Sequence, residues 1–220
     1  MAILPTLLND TIAEYAETIF SSETAFLKQL LIDAENEGIP PISIGGLQGS
    51  FLQTFIRTMN ASTVVEIGSL AGYSALTMAM ALPAGGKVYC FEINPDYAAF
   101  IEKKAEEAGL FDKISVIVGP ALEMIPTIKF QSPIDILFID ADKPNYSRYF
   151  EALHPHIRSG GAVIGDNALA WGYIADDNPS FEPENVQGLQ QFNALISGHS
   201  EYHPACLVPL GDGMAIAIKK

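Results

Sequence analysis

The chain has 220 residues, 49% of them hydrophobic, which suits one domain with a full core and argues against disorder throughout. With 26 Asp and Glu against 12 Lys and Arg, it lacks the surplus of cations that phosphate backbones require, so nucleic acid is not expected as a partner. No apolar run approaches the roughly 18 residues that span a bilayer, and Met1-Ala-Ile-Leu-Pro5 lacks the basic start of a signal peptide, so a cytoplasmic protein without a membrane partner is expected.

Ile12, Tyr15, Ala16 and Ile19 recur at helical spacing, as do Phe26, Leu27, Leu30, Leu31 and Ala34. Two amphipathic helices are expected, broken at Ser21 and Ser22, one of which would cap the second helix. Pro40-Pro41 ends this pair, and a third helix is expected from Gly46 to Met59. Residues 1–60 thus read as a helical cap on a core of residues 61–220, the two forming a single domain.

From residue 63 the pattern changes. Short apolar runs at Thr63–Ile67, Lys87–Phe91, Ile114–Val118, Ile134–Ile139 and Gly161–Gly165 alternate with helical segments at Tyr73–Leu82, Pro95–Gly109, Ala121–Pro126 and Asn145–Ile157. Runs apolar on both faces predict parallel strands covered on two sides. Cys90, inside the second run, is expected to be a buried reduced thiol. Trp171 to Gln187 reads as a loop, and a helix is expected around Val186–Ile196. The segments Tyr202–Pro209 and Met214–Lys219, joined at Gly211-Asp-Gly213, predict an antiparallel hairpin. The fold class is α/β: a Rossmann-like, doubly wound sheet, mostly parallel, finished by that hairpin.

Such sheets bind ligands beyond the carboxyl ends of their strands. After the first strand come Glu66, Gly68, Gly72 and Ser74 in a glycine turn that opens a helix. Glu92 ends the second strand, where an acid can hold ribose hydroxyls, and Gly119-Pro-Ala121 follows the third. In this order they favour an adenosine-containing cofactor. The position two after Gly68 is Leu70, so the Gly-x-Gly-x-x-Gly turn of nicotinamide dinucleotide enzymes is missing. Asp140, Asp142 and Lys143 follow the fourth strand, and Asp166 and Asn167 the fifth. Asp140, Asp166 and Asn167 offer hard oxygen donors suited to Mg²⁺, Mn²⁺ or Ca²⁺. His154, His156, His199 and His203 lie away from these strand ends and are not expected to bind metal. Asp212 reads as a turn former, and Tyr146 and Tyr149, at helical spacing with Phe150 and Leu153, read as core or interface.

Four segments carry a resemblance: Val65-Glu-Ile-Gly-Ser-Leu-Ala-Gly-Tyr-Ser74, Phe138-Ile-Asp-Ala-Asp-Lys-Pro-Asn-Tyr146, Gly165-Asp-Asn167 and Pro209-Leu-Gly-Asp-Gly213. From about Pro41 onward the chain resembles the cation-dependent O-methyltransferases of the catechol and caffeoyl-coenzyme A type. The resemblance implies S-adenosylmethionine (SAM) and a divalent cation, Mg²⁺ first, as cofactors. It implies a small aromatic hydroxylated acceptor and a homodimer. It places Glu66, Gly68 and Ser74 around the methionine part of the cofactor, Glu92 on its ribose, Ala121 at its adenine and Asp142 near its amino group. Ile42 stands at the lid, where the family often has Met. Asp140, Asp166 and Asn167 would bind the ion, and Lys143 matches the general base. The family's Trp four residues after the metal-binding Asp is Ala170 here, with Trp171 one place later. A nicotinamide-dependent oxidoreductase on a similar fold and a non-catalytic cofactor-binding protein are the alternatives.

Overall fold

The computed structural model of the protein describes residues 10–220; the expectation for Met1 to Pro5 lies outside them. Seven strands form one sheet in the order β3-β2-β1-β4-β5-β7-β6. They are β1 (Thr63–Ile67), β2 (Lys87–Glu92), β3 (Ile114–Val118), β4 (Ile134–Ile139), β5 (Ile157–Gly165), β6 (Cys206–Val208) and β7 (Met214–Ile218). The first five run parallel; β7 lies antiparallel to both β5 and β6. The predicted architecture is the observed one.

Why the strand runs lack polar alternation is visible in their packing. Val64, Val88, Cys90, Ile136, Phe138 and Ile164 belong to one buried cluster, whereas Val65, Tyr89, Phe91, Leu137, Ile139 and Val163 belong to another. Successive side chains point to opposite faces, and both faces are covered. Helices α2 (Ala25–Asn36), α3 (Gly46–Met59), α4 (Tyr73–Ala81) and α5 (Pro95–Glu107) place Leu27, Leu52, Leu76 and Ile101 in the first cluster. Helices α7 (Tyr146–Leu153) and α8 (Pro183–Gly198) place Phe150 and Phe192 in the second, and the short α6 (Ala121–Met124) follows β3. The N-terminal helices α2 and α3 therefore share the core of the sheet. Cys90 is fully buried, as expected of its run.

Several boundaries differ from the sequence reading. Helix α1 (Asp10–Phe20) and α2 are separated as expected, but Thr24 caps α2, its Oγ1 accepting from the Leu27 N–H at 3.2 Å, rather than Ser21 or Ser22. Strand β5 begins at Ile157, four residues before the expected Gly161, because a register break between Ile134 and Ile136 absorbs Gly160 at φ +72°. Helix α8 begins at Pro183, inside the expected loop. Proline is tolerated in a first turn, where its missing N–H has no helical partner. In the hairpin, β6 keeps only three residues between Pro204 and Pro209, neither of which can donate to a ladder.

The chain winds from β1 outward to β3, then returns to β4 beside β1 and continues the other way. The connections after β1 and β4 therefore leave the sheet in opposite directions and open a crevice at their carboxyl ends. No helix among the described residues is long and apolar enough to cross a membrane.

Candidate active site

Two cavities, of about 520 and 570 Å³, share walls at Gly68, Glu92, Ala141 and Asp142. Gly68 closes the end of β1 against β4. Its φ is +88°, and a Cβ there would stand 2.2 Å from the Asp140 carbonyl oxygen. The glycine is thus dictated by the approach of one strand end to the next. Gly68→Ala is expected to destabilise the protein by about 2–4 kcal/mol, combining left-handed strain with overpacking against backbone. A urea midpoint equal to that of the native chain would contradict this.

Glu66 is wholly buried beneath the first cavity. Ser69 Oγ donates to its Oε2 at 2.5 Å, while Oε1 has no hydrogen-bond partner. Burial pushes its carboxyl up to about 7, against hydrogen bonds from Ser69 and Ser74. Ser69 and Ser74 line the cavity, so Glu66 faces it through them. Glu92 ties the glycine turn down: its Oε2 accepts from the Leu70 N–H at 2.7 Å and its Oε1 from the Asn94 N–H at 2.9 Å. It lines both cavities. Ala121 walls the second cavity at the start of α6, next to Gly119. Ile42, 71% exposed, stands at the mouth of the first.

Beyond β4, a turn of 3₁₀ helix runs from Lys143 to Asn145 into α7, so Asp140, Lys143 and Tyr146 fall three residues apart on one side. Lys143 Nζ donates to Asp140 Oδ1 at 2.9 Å and to Tyr146 Oη at 2.8 Å. The Tyr146 ring is buried; burial and the neighbouring Asp140 charge hold its hydroxyl well above the usual phenol range. Tyr149 Oη donates to Asp142 Oδ1 at 2.5 Å, and Asn145 Nδ2 donates to Asp142 Oδ2. Tyr146 and Tyr149 were expected only as core or interface. Their rings are core, but their hydroxyls hold the polar groups of the cleft, which helical spacing could not reveal.

Asp140 and Asp166 end adjacent parallel strands, each backbone N–H continuing the ladder. Asp140, Lys143 and Asn167 line the first cavity, and Asp166 is buried beside them. Burial, then the charge of Asp140, pushes the Asp166 carboxyl up to about 7. Two carboxyl groups at adjacent strand ends, with an amide alongside and Lys143 Nζ bonded to Asp140, form a hard-oxygen set. That chemistry fits a divalent cation. Among the described residues, no three His, Cys, Asp or Glu side chains form a metal cage; the set here is two carboxylates and one amide.

Two further residues join the site. Asp212 accepts from the Asn167 side chain and, through Oδ2, from the Trp171 N–H at 2.8 Å, so it does more than form a turn. Gln48, from α3, donates through Nε2 to Asp166 Oδ1 at 2.7 Å. Ala170 is buried, whereas Trp171 lines the first cavity, edge-on to Phe181 at 5.6 Å between centroids. The shifted tryptophan thus still reaches the cleft. His154 and His199 pack against Phe150, and His156 against Phe130. Those residues precede β5 and β6, away from the cleft.

Comparison with known proteins gives this site a family. The sequence model described as "O-methyltransferase" matches residues 17–220. A catechol O-methyltransferase from Niastella koreensis is 35% identical over 223 residues, covering 97% of this chain and 100% of that protein. Caffeoyl-CoA O-methyltransferase 3 from Nicotiana tabacum is 34% identical over 177 residues, 77% of this chain and 73% of its own. Among solved structures, the O-methyltransferase from Bacillus cereus in complex with SAH is 30% identical with a TM-score of 0.86, covering 96% of this chain and 97% of that one. The O-methyltransferase TomG from Streptomyces achromogenes in complex with SAM is 27% identical with a TM-score of 0.85, covering 96% of each chain. The chain belongs to the O-methyltransferase family, and it is a methyltransferase.

Proposed function

We propose that this enzyme transfers a methyl group from SAM to a hydroxyl of a small aromatic acceptor of the catechol or caffeoyl type, and that it requires a divalent cation. One observation carries the reading: Lys143 Nζ, Asp140 and Asn167 line a single cavity with the glycine turn, and Asp166 lies buried beside them. SAM and SAH occupy solved relatives of the same fold, which supports SAM here.

In this reading Gly68, Ser74 and Glu92 hold the cofactor on the β1 and β2 side, with Glu66 behind the serines and Ile42 over the mouth. Ala121 meets the adenine in the second cavity, and Asp142, fixed by Tyr149 and Asn145, takes the amino group. Asp140, Asp166 and Asn167 hold the cation, Mg²⁺ first among Mg²⁺, Mn²⁺ and Ca²⁺. When bound, SAM supplies a methyl group on a sulfonium, and the cation favours the ionised form of the acceptor hydroxyl. In its neutral amine form Lys143 Nζ would accept the hydroxyl proton and become the ammonium, while Asp140 and Tyr146 fix its position. Trp171 forms one wall for an aromatic ring. A homodimer is part of the same proposal, supported by the exposed apolar strip of Tyr15, Ile19 and Phe20 on α1.

The test is incubation with SAM, Mg²⁺ and a panel of catechols and caffeoyl esters, with methylated products followed by mass spectrometry. Product is expected with Mg²⁺, is lost on adding EDTA, and returns with excess Mg²⁺. Turnover indifferent to EDTA would remove the cation from the proposal; no methylation of any aromatic hydroxyl would remove the acceptor class.

A further inference from the structure

Asp140 and Asp166 are held in different ways. Asp140 faces the ammonium of Lys143 at 2.9 Å. Asp166 faces a neutral amide: Gln48 Nε2 donates to its Oδ1 at 2.7 Å from a residue 118 positions away. Both side chains of this second pair are buried.

The Gln48 amide has little freedom. It sits in the first turn of α3, and its Oε1 accepts from the Gly45 N–H at 3.3 Å. With the oxygen taken by a backbone donor, the NH₂ group must face Asp166. The hairpin before β7 closes the third side: a Cβ on Gly211 would lie 2.4 Å from Gln48 Oε1. The amide is thus gripped by the start of α3, by the hairpin turn and by the end of β5.

We infer that Gln48 is a positioning residue, which fixes the rotamer of Asp166 and engages one carboxylate oxygen without neutralising its charge. A lysine or arginine there would bind Asp166 more strongly and cancel the charge a cation needs. An aliphatic residue would leave only the Asn167 backbone N–H to hold the carboxyl group. A neutral donor orients the ligand and adds no positive charge that would compete with a metal ion. Partners that orient metal ligands typically contribute about 10–100-fold in metal affinity. The inference rests on the cation reading of the site.

Mn²⁺ binding to the SAM-free protein, followed by electron paramagnetic resonance and calorimetry, separates the two. Asp166→Asn is expected to abolish Mn²⁺ binding. Gln48→Met, close in volume but without a donor, is expected to weaken it about 10–100-fold, with SAH affinity measured without cation and the melting temperature near native values. Gly211→Ala, which crowds the amide from the hairpin, is expected to shift Mn²⁺ affinity the same way and serves if Gln48→Met does not fold. Native Mn²⁺ affinity in Gln48→Met, or in Gly211→Ala where it stands in, together with loss in Asp166→Asn, overturns the role of Gln48 and leaves the cation site standing. Native affinity in Asp166→Asn overturns both.

Discussion

Replacing Lys143 with Met is expected to lower kcat by about 10²–10⁴-fold, the range for losing a positioned proton acceptor, with SAH affinity close to native. The reason is geometric. Lys143 Nζ is bonded to Asp140 Oδ1 and Tyr146 Oη on its protein side, and its side chain lines the cavity that contains the glycine turn. No hydrogen bond joins it to Gly68, Ser74 or Glu92, so the cofactor side loses nothing directly. Cation affinity should not fall, because Asp140 loses the ammonium that competes for its charge. Tyr146→Phe is a graded version of the same test. It removes one of the two hydrogen bonds that hold Nζ, worth about 0.5–1.5 kcal/mol, and is expected to cost less in kcat than loss of the amine. Single-turnover rates with calorimetric SAH binding decide the matter. If SAH affinity falls in parallel with kcat, Lys143 is a scaffold for the turn after β4 and not the proton acceptor.

How far the sequence reached depended on how local each signal was. Every parallel strand was legible because both faces of the sheet are largely covered, which leaves a mainly apolar run bounded by turn residues. Topology then did the rest. Residues at or just beyond the ends of β1, β2, β4 and β5 had to meet at one edge, so Glu92, Asp140, Lys143 and Asn167 are legible in the sequence. The contacts that escaped were long-range or hidden by a dual role. Nothing near Gln48 marks it, since its partner Asp166 is 118 residues away and only the folded sheet brings α3 over β5. Tyr146 and Tyr149 looked like core because their rings are core; a phenol buried by its ring and polar at its tip leaves no trace in hydrophobic periodicity. The start of α8 was obscured by Asn, Asp and Pro, residues that serve loops and first helical turns alike.

Glu66→Gln is expected to stabilise the cofactor-free protein at pH 8 by about 3 kcal/mol relative to pH 5, and its sign follows from linkage. In the folded chain burial raises the Glu66 carboxyl from 4.5 to about 7, and Oε1 is left without a partner. The folded state therefore holds this proton more tightly than the unfolded chain does. The stability this provides is complete below pH 4.5 and is lost as pH rises through 7. A rise from 4.5 to about 7, at 1.36 kcal/mol per tenfold change, gives about 3.4 kcal/mol over the whole window, most of which falls between pH 5 and 8. Glutamine keeps the shape of the protonated acid and cannot ionise, so its advantage should open between pH 4.5 and 7 and then stay flat. Urea unfolding of both proteins across that range reads it out; curves that stay parallel would mean Glu66 is ionised in the folded state throughout. The same substitution should weaken SAM binding. A buried carboxylate under Ser69 and Ser74 is costly to keep charged in the empty protein, and a cationic ligand in the cavity above would supply the missing compensation. The cost to stability and the gain in binding are then two consequences of one negative charge held where water does not reach.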